Sequence, residues 1–176
     1  MVYLLRFSYI NQEYPKQQIQ TYQINETLQI KNLEIIVLSS SLYDTINYIK
    51  KFEFDTERID ELTKSIELIM VAELEIKYLG NDAEEGVQLL NDFIETCSIQ
   101  SNAFSNGINF FDISALNPDN TLEKLRSNGN TTVLISFSIP KSLFTAASWG
   151  RIHQRDFYLT IGCYPVKNMV ALSNEL

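Results

Sequence analysis

Residues 55–100 read DTERIDELTKSIELIMVAELEIKYLGNDAEEGVQLLNDFIETCSIQ, and the architecture depends on whether the middle of this stretch is helix or strand. Asp55 and Thr56 can each cap a helix, since a side-chain oxygen there accepts from an orphan first-turn amide. Ile59, Leu62, Ile66, Ile69 and Met70 then recur at spacings of three and four, one helical face. Asp60 with Lys64 and Glu73 with Lys77 are i,i+4 pairs with the acid first, the better orientation. Gly80 suits the left-handed position after a helix. Asn81 with Glu84 resembles a capping box for a second helix. Ala83, Val87, Leu90, Ile94 and Cys97 give that helix the cleanest periodicity in the chain.

A rival pattern runs through Ala72–Leu79, where Glu73, Glu75 and Lys77 alternate with Leu74, Ile76 and Tyr78 as in a strand. No Gly or Pro separates this segment from the preceding helical pattern, which favours one continuous helix. A turn as short as Gly80-Asn81 would then lay two helices antiparallel. This hairpin holds twelve acids against three bases, a net −9, while the whole chain carries −8. On this reading the acidity belongs to one element.

Outward from the hairpin the chain is rich in strands. Residues 2–10 alternate with both faces largely apolar, as in a central strand. Residues 17–24 form a more polar strand, and 28–38 one long or two short ones. Ser41 with Asp44 resembles a capping box for a helix using Leu42, Ile46 and Ile49, closed by Lys50-Lys51 where its dipole favours positive charge. After Gln100, the Ser/Asn-rich stretch 101–109 reads as a mobile loop, and 110–113 as a short strand. Asn120 with Glu123 caps a short helix ending at Asn128-Gly129. Residues 131–139 alternate as a strand that Pro140 ends, 141–149 hold one or two helical turns, and 157–164 form a last alternating strand. The fold expected is α+β: one mainly antiparallel sheet formed by N- and C-terminal strands, with the acidic helical hairpin of 55–100 inserted and packed on one side. A single domain over 1–176 is expected, long enough to bury about 70% of its unfolded surface.

Composition and motifs exclude much chemistry. The single histidine, His153, has no G-x-S-x-G elbow to serve, and one His with two distant cysteines makes a zinc site untenable. Phosphate-cradling glycine motifs and EF-hand spacing are absent, so no cofactor, metal or catalytic residue is assigned. Cys97 and Cys163 read as buried free thiols of a cytoplasmic protein, a long-range disulfide being the alternative. The longest apolar run, 68–72, is far short of a membrane span, and Met1–Ile10 carries Arg6 with no cleavage site after it, so neither membrane nor signal peptide is expected.

Two surfaces remain. Glu57, Asp60, Glu61, Glu84, Glu85 and Asp92 would place concentrated negative charge on exposed helical faces, suited to steering a basic protein partner. The function expected is a non-enzymatic acidic binding module of inhibitor, immunity or nucleic-acid-mimicking type. The alternative is a structural subunit of a larger assembly, using tyrosines of the β-rich N-terminus. The second surface is residues 149–156, where Trp149, Arg151, His153 and Arg155 gather the lone Trp, the lone His and two arginines. It could serve a small enzyme or a nucleic-acid site, or its arginines could simply pair with acids of the hairpin. From Lys124 to Arg155 there are five bases and no acid, but an adjacent −9 element would repel phosphates and argues against nucleic acid.

Overall fold

The computed structural model describes residues 17–54, 68–119, 121–162 and 166–173. In chain order its strands are β1 (Gln18–Tyr22), β2 (Thr27–Ile30), β3 (Leu33–Asp44), β4 (Leu68–Tyr78), β5 (Ser98–Ser101), β6 (Phe104–Gly107), β7 (Asn130–Ile139), β8 (Phe157–Ile161) and β9 (Val166–Leu172). The helices are α1 (Thr45–Lys51), α2 (Ala83–Thr96), α3 (Phe110–Leu116), α4 (Thr121–Asn128) and α5 (Ala146–Trp149).

The strands make two sheets, ordered β2-β3-β4-β7 and β1-β9-β8-β5-β6. Pairing is antiparallel throughout, except that β1 runs parallel to β9. One apolar core joins them: Ile35, Leu74 and Ile135 of the first sheet are buried with Ile99, Leu159 and Val170 of the second, and Leu90 and Phe93 of α2 close it. This overturns the expected single sheet carrying a helical hairpin.

The correction lies in residues 68–78. They form β4, the strand at the centre of the first sheet, hydrogen-bonded to β3 on one side and β7 on the other. Met70, Ala72, Leu74 and Ile76 face the shared core. Ile69 and Val71 point the other way, against a smaller cluster with Tyr48, Ile49, Phe54 and Leu116. A helix would have kept Leu74 and Tyr78 on one face but turned Ile76 to the opposite side. The period of two buries every one of those apolar side chains and exposes Glu75 and Lys77. Opposite charges then meet across the ladder, Lys77 lying 3.6 Å from Glu34. The helical pattern expected from Asp55 to Glu67 lies outside the described residues, as does the strand expected at 2–10.

A bulge explains a second correction. Register shifts between Val37 and Ser39, so the buried set passes from Leu33, Ile35 and Val37 to Ser40 and Leu42. The spacing of Ser41 and Asp44, with Leu42, Ile46 and Ile49 on one face, predicts a helix capped at Ser41. Instead β3 runs on to Asp44, whose carboxylate accepts from the Asn47 amide at 2.9 Å and caps α1. Ile46 is therefore exposed, while Ile49 is buried.

The expected loop at 101–109 is a hairpin: β5 and β6 pair around a two-residue turn in which Asn102 takes a positive φ of 49°, a conformation asparagine tolerates. The expected strand at 110–113 is the start of α3. Three expectations match closely. The second helix of the stretch is α2, with Val87, Leu90 and Cys97 buried, though Asp82 rather than Asn81 caps it. The short helix ends at Asn128, with Gly129 at φ 70°. The strand before Pro140 is β7.

Candidate functional site

The acids assigned to a docking face fall in unlike places. Glu57, Asp60 and Glu61 lie outside the described residues. Glu84 stands in the first turn of α2 and binds Arg126 of α4 at 2.9 Å. Glu85 accepts from the Tyr78 hydroxyl at 2.5 Å, which raises that phenol above its ordinary pKa. Both therefore tie α2 to its neighbours. Asp92 is exposed, and its carboxylate accepts from Gln88 on its own helix at 2.8 Å.

Asp92 and Glu95 occupy the last turns of α2, where the helix dipole disfavours negative charge, and no base shares the final turn. The two acids cap a ridge between two apolar grooves. One, of about 440 Å³, is lined by Leu90, Ile94, Phe110, Ile113 and Leu122, with Glu95 at its edge. Phe110 and Phe111 are 55% and 85% exposed beside it. The other, of about 320 Å³, runs past Leu33, Ile35, Leu89, Phe93 and Ile161, with Asp92, Glu95 and Lys31 on its border.

The second surface is built differently. Trp149 ends α5 and packs on Phe144, ring centroids 5.7 Å apart, with the Lys141 ammonium 6.0 Å from its own ring. Arg155 donates from Nη2 to Ser148 Oγ at 2.8 Å and lies over the Phe144 ring at 5.3 Å. Arg151 and Arg155 line one recess with Asn102, Ser148 and Gln154. His153 sits exposed on a 3-10 turn, Ile152–Gln154, and lines neither this recess nor the grooves beside α2.

A third cluster is buried. The Tyr48 hydroxyl donates to Asp112 Oδ2 at 2.9 Å, and Ser136 Oγ lies 3.3 Å from the same oxygen. Burial first, then the neighbouring Asp112 charge, pushes the Tyr48 phenol far above its ordinary pKa, so it remains a donor. This network fastens α1 and α3 to the outer face of β7. It borders none of the grooves described.

Among the described residues no group of three or more His, Cys, Asp or Glu side chains could hold a metal ion. No helix among them is long and apolar enough to cross a membrane. Residues 12–168 match the family described as a domain of unknown function, DUF5028. The chain belongs to the DUF5028 family. No curated protein matches it. Among solved structures, an uncharacterized β-sandwich protein from Clostridium difficile 630 aligns over 90% of this DUF5028 chain and 98% of its own, at 8% identity and a TM-score of 0.42.

Local reading of this DUF5028 sequence missed the partners that complete both surfaces. Local pattern places Phe110 in a short strand and Ile94 on the periodic apolar face of a helix, so the groove they share has no local signature. Asn102 meets Arg151 and Arg155 only because the β5–β6 hairpin folds toward α5, a contact between segments far apart in the chain.

Proposed function

We propose that this domain is a non-enzymatic protein-binding module that grips a basic, partly apolar segment of a partner along the C-terminal half of α2. The observation that carries this is the ridge itself. Asp92 and Glu95 stand near a helix end whose dipole disfavours them, with no cationic side chain in the last turn; Glu95 borders the groove walled by Leu90, Ile94, Phe110 and Leu122, and Asp92 the neighbouring one. A lysine or arginine of a partner would offset that charge, while apolar side chains from the same segment filled the groove. The exposed Phe110 and Phe111 supply the aromatic contact area that interfaces favour. A reducing, cytoplasmic setting fits the free thiol of Cys97.

The test is fluorescence anisotropy with labelled amphipathic Leu–Lys helical peptides, using Leu–Glu and scrambled Lys peptides as controls. The Leu–Lys peptide is expected to bind best, to weaken as salt rises, and to lose roughly tenfold in affinity to an Asp92→Asn/Glu95→Gln/Phe110→Ser variant. Equal binding by the variant, or by the scrambled peptide, would sink the reading.

A further inference from the structure

The recess beside α5 has a chemistry opposite to that of the α2 ridge. Two clefts meet there, sharing Asn102, Ser148 and Arg155. The polar one, about 270 Å³, is lined by Arg151, Arg155, Asn102, Ser148 and Gln154. Its neighbour, about 350 Å³, adds Phe104, Leu143 and Phe144. Among the described residues no carboxylate lines either cleft, whereas each groove beside α2 has at least one at its edge.

We infer that these joined clefts bind a small oxyanion-bearing ligand, its charged head between Arg151 and Arg155 and its apolar body against Leu143 and Phe144. Arginine suits this because its planar fork presents several N–H donors that match the oxygens of a carboxylate or phosphate. Arg155 is already oriented, held over Phe144 and tied to Ser148, so less rotamer freedom is lost on binding. Arg151 makes no side-chain hydrogen bond or ion pair among the described residues, and its guanidinium is exposed. The amide side chains of Asn102 and Gln154 add neutral donors at the same opening. Phe144, backed by the buried Phe104 with ring centroids 5.1 Å apart, and the exposed Leu143 form an apolar wall that a bare inorganic anion would leave unused. The site is independent of the α2 ridge and would stand if that reading failed.

The experiment is amide NMR titration of the full chain at low salt with three probes: phenyl phosphate, phenylacetate and inorganic phosphate. Saturable shifts are expected at Asn102, Ser148 and Gln154 with at least one aromatic probe, and whichever saturates first tells phosphate from carboxylate. Arg151→Gln, an exposed change that leaves β8 untouched, should weaken that probe by roughly tenfold or more, and Gln154→Ala by less. Both variants should keep the dispersed wild-type spectrum. The proposal is overturned by non-saturating shifts with all three probes, by an Arg151→Gln variant that binds as tightly as wild type, or by inorganic phosphate that matches phenyl phosphate.

Discussion

Tyr78 depends on two absent methyl groups. A Cβ added at Gly86 would stand 2.9 Å from Tyr78 Cγ and Cδ1, and one at Gly80 would fall 2.1 Å from its hydroxyl oxygen. In an exposed helix, replacing glycine by alanine stabilises by up to about 1 kcal/mol. Here the sign should reverse: Gly86→Ala should cost roughly 1–3 kcal/mol by urea denaturation, because the ring must leave its place. Adding Tyr78→Leu should recover part of the loss, which a purely helical effect would not do. Cys97 offers a pH test at the same scale. Its side chain is 2% exposed, and burial pushes the thiol up to about 12 from an ordinary value near 9. The neutral thiol is favoured in the fold, so its contribution is complete below about pH 9 and is lost as pH rises toward 12. The slope approaches ~1.4 kcal/mol per pH unit for one proton. Stability measured from pH 8 to 11 should therefore fall less steeply in Cys97→Ala than in wild type.

At the level of elements, β7 shows how an edge is closed without another strand. Asn117 accepts from the Leu134 amide and donates to the Leu134 carbonyl, each at 2.8 Å. The Asn109 amide donates to the Ser136 carbonyl at 2.8 Å, and Asn106 Nδ2 to that of Ser138 at 2.9 Å. Three asparagines thus occupy the hydrogen-bonding positions that a foreign strand would otherwise take. Asn117 also donates to the Ile113 carbonyl at 2.8 Å, so Asn117→Ala should cost about 3 kcal/mol for three lost bonds and raise self-association in sedimentation velocity. An unchanged monomer would show that the edge is guarded by something else. None of this was legible from local pattern, which placed two of these asparagines in a mobile loop. The elements that were legible, α2 and β7, bury one face under a uniform period. The element that misled, β4, is apolar on both faces at its start, where the helical and strand spacings coincide at Ile69 and Met70. Only its partners β3 and β7 decide between them. Similarly, the α1 capping signal was real, but the β3 bulge moved it from Ser41 to Asp44.

For the molecule as a whole, the negative charge assigned to one hairpin is divided. Glu73 and Glu75 lie on the outer side of β4, where Glu73 accepts from Ser39 at 3.1 Å, and five acids from Asp82 to Glu95 follow α2 and its cap. The bases around Arg151 gather elsewhere, at the β5–β6 turn. The candidate surfaces were thus half legible: the charged residues were visible in the sequence, and the walls that make clefts of them were not. The parallel partnership of β1 with β9 has a consequence for how such a chain comes into being. The first sheet takes all its described strands from residues 27–139, whereas the second needs segments from 18–22, 98–107 and 157–172. During synthesis the inner side of β3, β4 and β7, with Leu74, Ile135 and Phe137, is complete before its cover has left the ribosome. That interval of uncovered apolar strand, set by the order of the chain rather than by final stability, is when this protein is most exposed to aggregation and most in need of a chaperone.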